Sequence, residues 1–171
     1  MTRRKAIAAI SVAPLSAQTK QSTIRSKLIG VWKLVSYESK NKTTGDVGHP
    51  YSTHPVGRIT YDAAGRMSAI LMNPDRERVG GSSSGGSIAA TRLASAEDMR
   101  AMLSGFIAYF GTFDVDESAK TVIHHVEACL IPSWVGTDLR RAYEFEGNDQ
   151  LTLSADLAQI VARIVWKREV G

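Results

Sequence analysis

The sequence holds a single cysteine, Cys129, among its 171 residues, so it supports neither an internal disulfide nor a multi-cysteine zinc site. It has no apolar run of the roughly 18 to 20 residues that a spanning helix requires, so no integral membrane segment is expected. Five prolines and fourteen glycines provide many turns and exclude a collagen-like chain. Acidic residues are absent from the first 27 positions, which carry six bases (Arg3, Arg4, Lys5, Lys20, Arg25, Lys27). The remainder has 15 bases against 17 acids, so the formal charge of +4 belongs to the N-terminal segment. A phosphate-binding footprint belongs on one face of a folded domain, and no nucleic-acid partner is indicated. What is present, 43% hydrophobic and 22% charged residues, suits one globular domain.

Residues 1–27 read as a basic tail or an export signal, with the folded domain at 28–171. Met1 to Lys5 form a basic n-region, Ala6 to Leu15 a short apolar stretch, and Ser16-Ala17 a candidate cleavage point, with the mature chain starting near Gln18. Thr2-Arg3-Arg4-Lys5-Ala6-Ile7-Ala8 also resembles a twin-arginine signal. Export to the periplasm is favoured, with a plain cytoplasmic tail as the other reading.

From Leu28 the chain alternates with period 2. Trp32, Leu34 and Ser36 fall on one side of the first strand, with Lys33, Val35 and Tyr37 on the other. Further strands are predicted at 56–62, 66–72, 106–115, 120–130, 138–145, 150–154 and 159–168. Asp62-Ala63-Ala64-Gly65 joins two of them as a hairpin, with Gly65 as its left-handed residue. Residues 73–94 are Gly/Ser-rich and too long for a hairpin, so a flap is predicted between strands 3 and 4. A short helix follows, capped by Ser95 with acids in its first turn, running to Leu103 and ending at Gly105. Eight strands with hairpin connections make an all-β antiparallel meander, whose edges are removed by closure into an up-and-down barrel.

Gly30-Val31-Trp32 resembles the Gly-x-Trp signature of the lipocalin superfamily (calycins), where a basic residue on the last strand, matched here by Arg168, packs over the tryptophan. The strings GVWKLVSYE (30–38), PVGRITYDAAGRMSAILMNPDR (55–76), AYFGTFDVD (108–116), VIHHVEACLIPSWVGTDLRRAYEF (122–145) and LTLS (151–154) are similar to the bacterial and fungal lipocalin-like domain family. That resemblance covers about residues 28 to 168 and implies a lipocalin-like barrel around a small hydrophobic molecule. Some fungal relatives are associated with natural-product biosynthesis, which points to secondary metabolism. The paired cysteines and long C-terminal helix of secreted lipocalins are missing.

Function in such a barrel belongs to inward-facing residues and those at the mouth. The set Val122, His124, Val126, Ala128, Leu130 is apolar apart from its histidine, which places His124 inside and His125 outside. His124 is then either a hydrogen-bonded core residue or a proton carrier. Arg141 alternates with Leu139, Tyr143 and Phe145. Facing inward, it needs either a protein carboxylate such as Glu38 or an anionic ligand. Tyr61, Tyr109 and Tyr143 offer hydroxyls, and Trp134 lines the cavity mouth or covers a barrel end. The four histidines lack a compact metal spacing, Gly80 to Gly86 lacks the lysine of a phosphate loop, and no cofactor is expected.

Two functions follow. In the first, the barrel binds one small, largely apolar molecule with a polar or anionic end contacting Arg141 and His124. In the second, it is a cofactor-independent cyclase or isomerase of a polyketide- or terpenoid-like intermediate. His124 then moves the proton, and Arg141 or a tyrosine stabilises an oxyanion. A homodimer is compatible with either.

Overall fold

Asp62 and Gly65 show how the strands are joined. The Gly65 N–H donates to the Asp62 carbonyl at 3.1 Å, and Gly65 takes φ +89°, the left-handed conformation the turn requires. This turn links β3 (Val56–Tyr61) to β4 (Arg66–Met72) in a computed structural model that describes residues 23–76 and 95–169. The expected export signal and residues 77–94 of the expected flap lie outside the described residues.

The other strands are β1 (Gly30–Asn41), β2 (Val47–Gly48), β5 (Phe106–Asp116), β6 (Thr121–Cys129), β7 (Asp138–Glu146), β8 (Gln150–Asp156) and β9 (Ile160–Arg168). Their order is β2-β1-β3-β4-β5-β6-β7-β8-β9, every pairing that is described is antiparallel, and β1 also pairs with β9. That last ladder, from Trp32↔Arg168 to Asn41↔Ile160, closes an eight-stranded up-and-down barrel, with β2 as a short flange on β1. Closure leaves the eight strands without a free edge. Between β4 and β5 stands the expected helix, α2 (Ala96–Leu103) once α1 (Thr23–Leu28) is counted, opened by a Ser95–Asp98 capping box.

Two β-bulges change which side chains face inward. The β1–β9 register shifts between Leu34 and Ser36, so Tyr37 pairs with the inward Ile164 and turns into the barrel. Period-2 alternation alone predicts Tyr37 on the face away from Trp32 and Leu34. The β5–β6 register shifts between Phe110 and Gly111, with Glu127 as the extra residue. Beyond it Cys129 lies opposite Tyr109 and packs on the core, while Ala128 pairs with the exposed Phe110. The expected inward run therefore holds for Val122, His124 and Val126 and reverses at Ala128 and Leu130. Gly111 permits this bulge, because a Cβ there would stand 1.9 Å from the His125 carbonyl oxygen.

One barrel end is sealed. Leu28 of α1 and Trp32 are fully buried, and the Trp32 indole N–H donates to the Leu28 carbonyl at 2.8 Å. The Arg168 guanidinium lies over the Trp32 ring and donates to the Ile29 and Lys27 carbonyls, which satisfies the C-terminal end of α1. Gly30, at φ +135°, leaves room for this arginine; a Cβ would meet Arg168 Nη1 at 2.7 Å. The last residues of the expected tail thus serve as a plug. Arg25 adds a cation–π contact 4.5 Å from the Phe113 ring.

Candidate ligand-binding cavity

The sealed end fills with Trp32, Phe113, Leu151 and Phe145, and the free space lies nearer the opposite end of the barrel. A cavity of about 50 Å3 remains there. Its apolar wall comes from Ile59, Leu71, Ile107, Leu153 and Ile164, and its polar or aromatic wall from Tyr37, Tyr51, Tyr109, Trp134, Arg141 and Trp166, with His124 behind. A larger hollow of about 340 Å3 lies mainly over Ile70, Ala108, Phe110 and Ala128, on the outer faces of β4, β5 and β6. It is mainly apolar, with Ser68, Tyr109 and Cys129 also at its wall, and neither His124 nor Arg141 lines it.

His124 is completely buried in the middle of β6. Both ring nitrogens are engaged: Nε2 lies 2.8 Å from the Tyr61 hydroxyl and Nδ1 3.0 Å from the Tyr109 hydroxyl. Burial, reinforced by the positive charge of Arg141 and then of His125, lowers its pKa to about 3. At neutral pH the ring is therefore an uncharged connector between two phenols. Burial raises the Tyr61 hydroxyl well above its ordinary range and pushes Tyr109 up to about 12, although Arg141 opposes both shifts. Tyr51 is likewise pushed up to about 12, chiefly by burial. All of these phenols are neutral near pH 7.

Arg141 is then the charged group on the wall. It reaches the cavity from β7, half-buried, and Nη1 donates to the neighbouring Arg140 carbonyl at 2.9 Å. No carboxylate of the described residues forms an ion pair with it. Glu38, one of the two partners considered from sequence, sits opposite Arg163 in the β1–β9 ladder, next to the inward Tyr37 and so on the other face. The buried indole N–H of Trp166 also has no partner among the described residues.

Of the residues singled out from sequence, His124, Arg141, Tyr109 and Trp134 meet at this cavity. Trp134, in the 3-10 turn Pro132–Trp134, stands edge-on to Tyr109 with centroids 6.3 Å apart. Tyr61 lies one step deeper and reaches the cavity through His124. Tyr143 is outside the lining and stacks toward Phe145, 5.9 Å away, on the sealed side. Gly30, Trp32 and Arg168 belong to the seal itself. Sequence reasoning passed over Tyr37, Tyr51 and Trp166. Counting back in twos from Arg168 would have found Trp166; Tyr37 was hidden by the bulge, and Tyr51 by its place in a loop. His124 and His125 point to opposite faces, and no group of three His, Cys, Asp or Glu among the described residues is placed to hold a metal.

The profile of the lipocalin-like domain matches residues 29–168, from the strand that carries Trp32 to the arginine that covers it. The chain belongs to the lipocalin-like domain family. Among solved structures this lipocalin-like chain is similar to a redesigned β barrel, at 11% identity and a TM-score of 0.41, over 85% of this chain and 95% of that one. No curated protein matches it. Membership in the lipocalin-like family is consistent with small-molecule binding inside the barrel. No helix among the described residues is long and apolar enough to cross a membrane.

Proposed function

We propose that this lipocalin-like barrel binds one small, largely apolar molecule whose anionic or carbonyl end is held by Arg141 beside the Tyr109–His124 pair. The observation that carries this reading is the Arg141 guanidinium, facing the cavity with no carboxylate partner among the described residues. A cation taken partly out of water is costly unless it is paired, and here the missing partner is what a ligand supplies. The aromatic and branched aliphatic walls suit an apolar body.

The free volume of about 50 Å3 bounds what enters without rearrangement to a group of a few atoms. A larger body requires Tyr51 and Trp134, both at the mouth, to turn outward. Trp134 sits on the three-residue turn Pro132–Trp134 rather than in a ladder.

The cyclase or isomerase alternative gains no support from His124, since both its nitrogens are occupied by tyrosines. In such a mechanism the proton would pass through the Tyr109 hydroxyl instead. Native mass spectrometry of the chain purified from its own host tests the binding reading. An added mass that is lost on denaturation and absent from Arg141→Met supports it. Protein that stays ligand-free there, and across carboxylate, alcohol and amine libraries, overturns it.

A further inference from the structure

The cavity is lopsided in its hydrogen bonding. Among the described residues no Asp, Glu, Asn, Gln, Ser or Thr lines it. The polar side chains on its wall are one guanidinium, two indoles, three phenols and the edge of an imidazole. Guanidinium and indole N–H groups only donate. A phenol both donates and accepts, so the direction of the Tyr109 hydrogen bond decides what the deepest of the three phenols offers a ligand.

That direction follows from burial. Neutral His124 has one N–H to share between two hydroxyls. With the proton on Nε2, it would donate to Tyr61, and Tyr109 would spend its own proton on Nδ1. The Tyr61 O–H would then have no acceptor, since the ring is 1% exposed, lies outside the cavity lining, and its hydroxyl has no other partner among the described residues. Leaving a donor unmet in such a place is expensive. With the proton on Nδ1, the Tyr61 O–H donates to Nε2 and the Nδ1–H donates to the Tyr109 oxygen. The spare O–H now belongs to Tyr109, on the cavity wall, where a ligand can accept it. The second arrangement leaves neither His124 nor Tyr61 with an unmet group.

We infer that the cavity is a carboxylate receptor: Arg141 supplies the positive charge, the Tyr109 O–H and the unpartnered Trp166 indole N–H supply direction, and His124 with Tyr61 holds Tyr109 as a donor. This inference rests on the ligand-binding reading above and names the ligand's polar end. One cation matches one negative charge, whereas a phosphate dianion would leave charge uncompensated. A planar carboxylate has two oxygens to divide between the guanidinium and the neutral donors. A neutral carbonyl would leave Arg141 unpaired, and an ammonium would meet a like charge. Tyr109 and Trp166 are specificity-determining here, and His124 and Tyr61 are positioning residues.

Calorimetric titration at pH 7 with trans-cinnamate, cinnamamide and cinnamylamine tests this on the wild-type protein. These probes share one apolar body and differ in the charge of the end group. Cinnamate is expected to bind about tenfold or more tighter than the amide, the worth of a charge-assisted bond, and the amine weakest of all. Tyr109→Phe and Trp166→Phe should each weaken cinnamate several-fold while changing cinnamamide less. Amide or amine binding as tight as cinnamate overturns the carboxylate assignment and leaves the ligand-binding reading standing. Failure of all three probes, in protein that is also ligand-free from its host and across the carboxylate, alcohol and amine libraries, overturns both. If the variants do not fold, nitrogen-15 NMR of His124 in the wild type carries the test. A protonated Nδ1 with a bare Nε2 supports the assignment, and the reverse tautomer removes Tyr109 as a donor and overturns it.

Discussion

The Arg168 guanidinium carbon stands 4.0 Å from the centroid of the Trp32 ring, and the two residues are direct partners in the β1–β9 ladder. One cross-strand pair therefore closes the barrel circumferentially, through its backbone, and axially, through its side chains. The same guanidinium bonds the carbonyls at the end of α1, so sheet, helix and indole share one residue. Truncating Trp32 to Ala removes a fully buried ring and leaves Arg168 with nothing to cover. The expected loss is about 3 to 5 kcal/mol in a urea titration. A loss under about 1 kcal/mol would mean that the indole is not part of the core.

Arg141 behaves oppositely in the absence of ligand. Arg141→Met replaces a half-buried, unpaired cation by an apolar chain of similar length. The unliganded variant is expected to match or slightly exceed wild-type stability, within about 1 kcal/mol, because no ion pair is broken. It should also lose any preference for anionic ligands. Thermal melts with and without trans-cinnamate read both effects. A strongly destabilised variant would reveal a structural partner for Arg141.

His124 and His125 are adjacent on β6 and titrate in opposite directions. The pKa of His124 is lowered to about 3 by burial, so between pH 6.5 and 3 the unfolded chain binds a proton that the folded chain refuses. Its contribution is present above pH 6.5 and disappears as pH falls, at up to about 1.4 kcal/mol per pH unit. His125 bridges Asp138 at 2.7 Å and Asp114 at 3.1 Å, with Arg25 also 3.9 Å from Asp114. Hydrogen bonding to Asp138, then to Asp114, raises its pKa against a smaller desolvation effect. Its contribution is complete below pH 6.5 and fades as pH rises through the folded value. Stability should therefore peak near pH 6.5. His124→Gln should flatten the acid side down to about pH 4, where carboxylates such as Asp62, Asp75 and Asp116, held low by hydrogen bonds, begin to protonate. His125→Gln should flatten the alkaline side. Urea midpoints from pH 4 to 9 for the three proteins decide the matter.

Tyr61→Phe isolates the connector. It removes the partner of His124 Nε2 without touching the cavity wall, leaving a buried ring nitrogen unmet. A cost of about 1 to 3 kcal/mol is expected. The His124 tautomer should then be free to change, which NMR would register even where stability moved little.

The strand boundaries were legible because period-2 patterning and turn residues act locally: Gly65 and Ser95 do in the structure what their types indicate in the sequence. His124 was legible as an inward residue for the same reason, while alternation alone left the face of Arg141 open and gave Tyr109 only as a candidate hydroxyl. The bulges were not legible. An extra residue at Val35 or Glu127 is set by what the neighbouring strand brings alongside, such as the bare backbone of Gly111 under the His125 carbonyl. Period-2 counting has no access to that partner, so it misplaced Tyr37 and Ala128. The pairing of His124 with two tyrosines 63 and 15 residues away in sequence is a property of barrel closure, which alternation along one strand does not encode.

The plug made by α1, Trp32 and Arg168 gives the barrel the topology of a blind tube. Whatever occupies it must leave by the way it came, so arrival and departure share one barrier at the mouth. Trimming Trp134 to Ala should then raise the association and dissociation rates together and leave their ratio nearly unchanged. Most contact substitutions act mainly on dissociation. Stopped-flow fluorescence would separate the two behaviours, and a change confined to the dissociation rate would place Trp134 among the holding residues rather than at the gate.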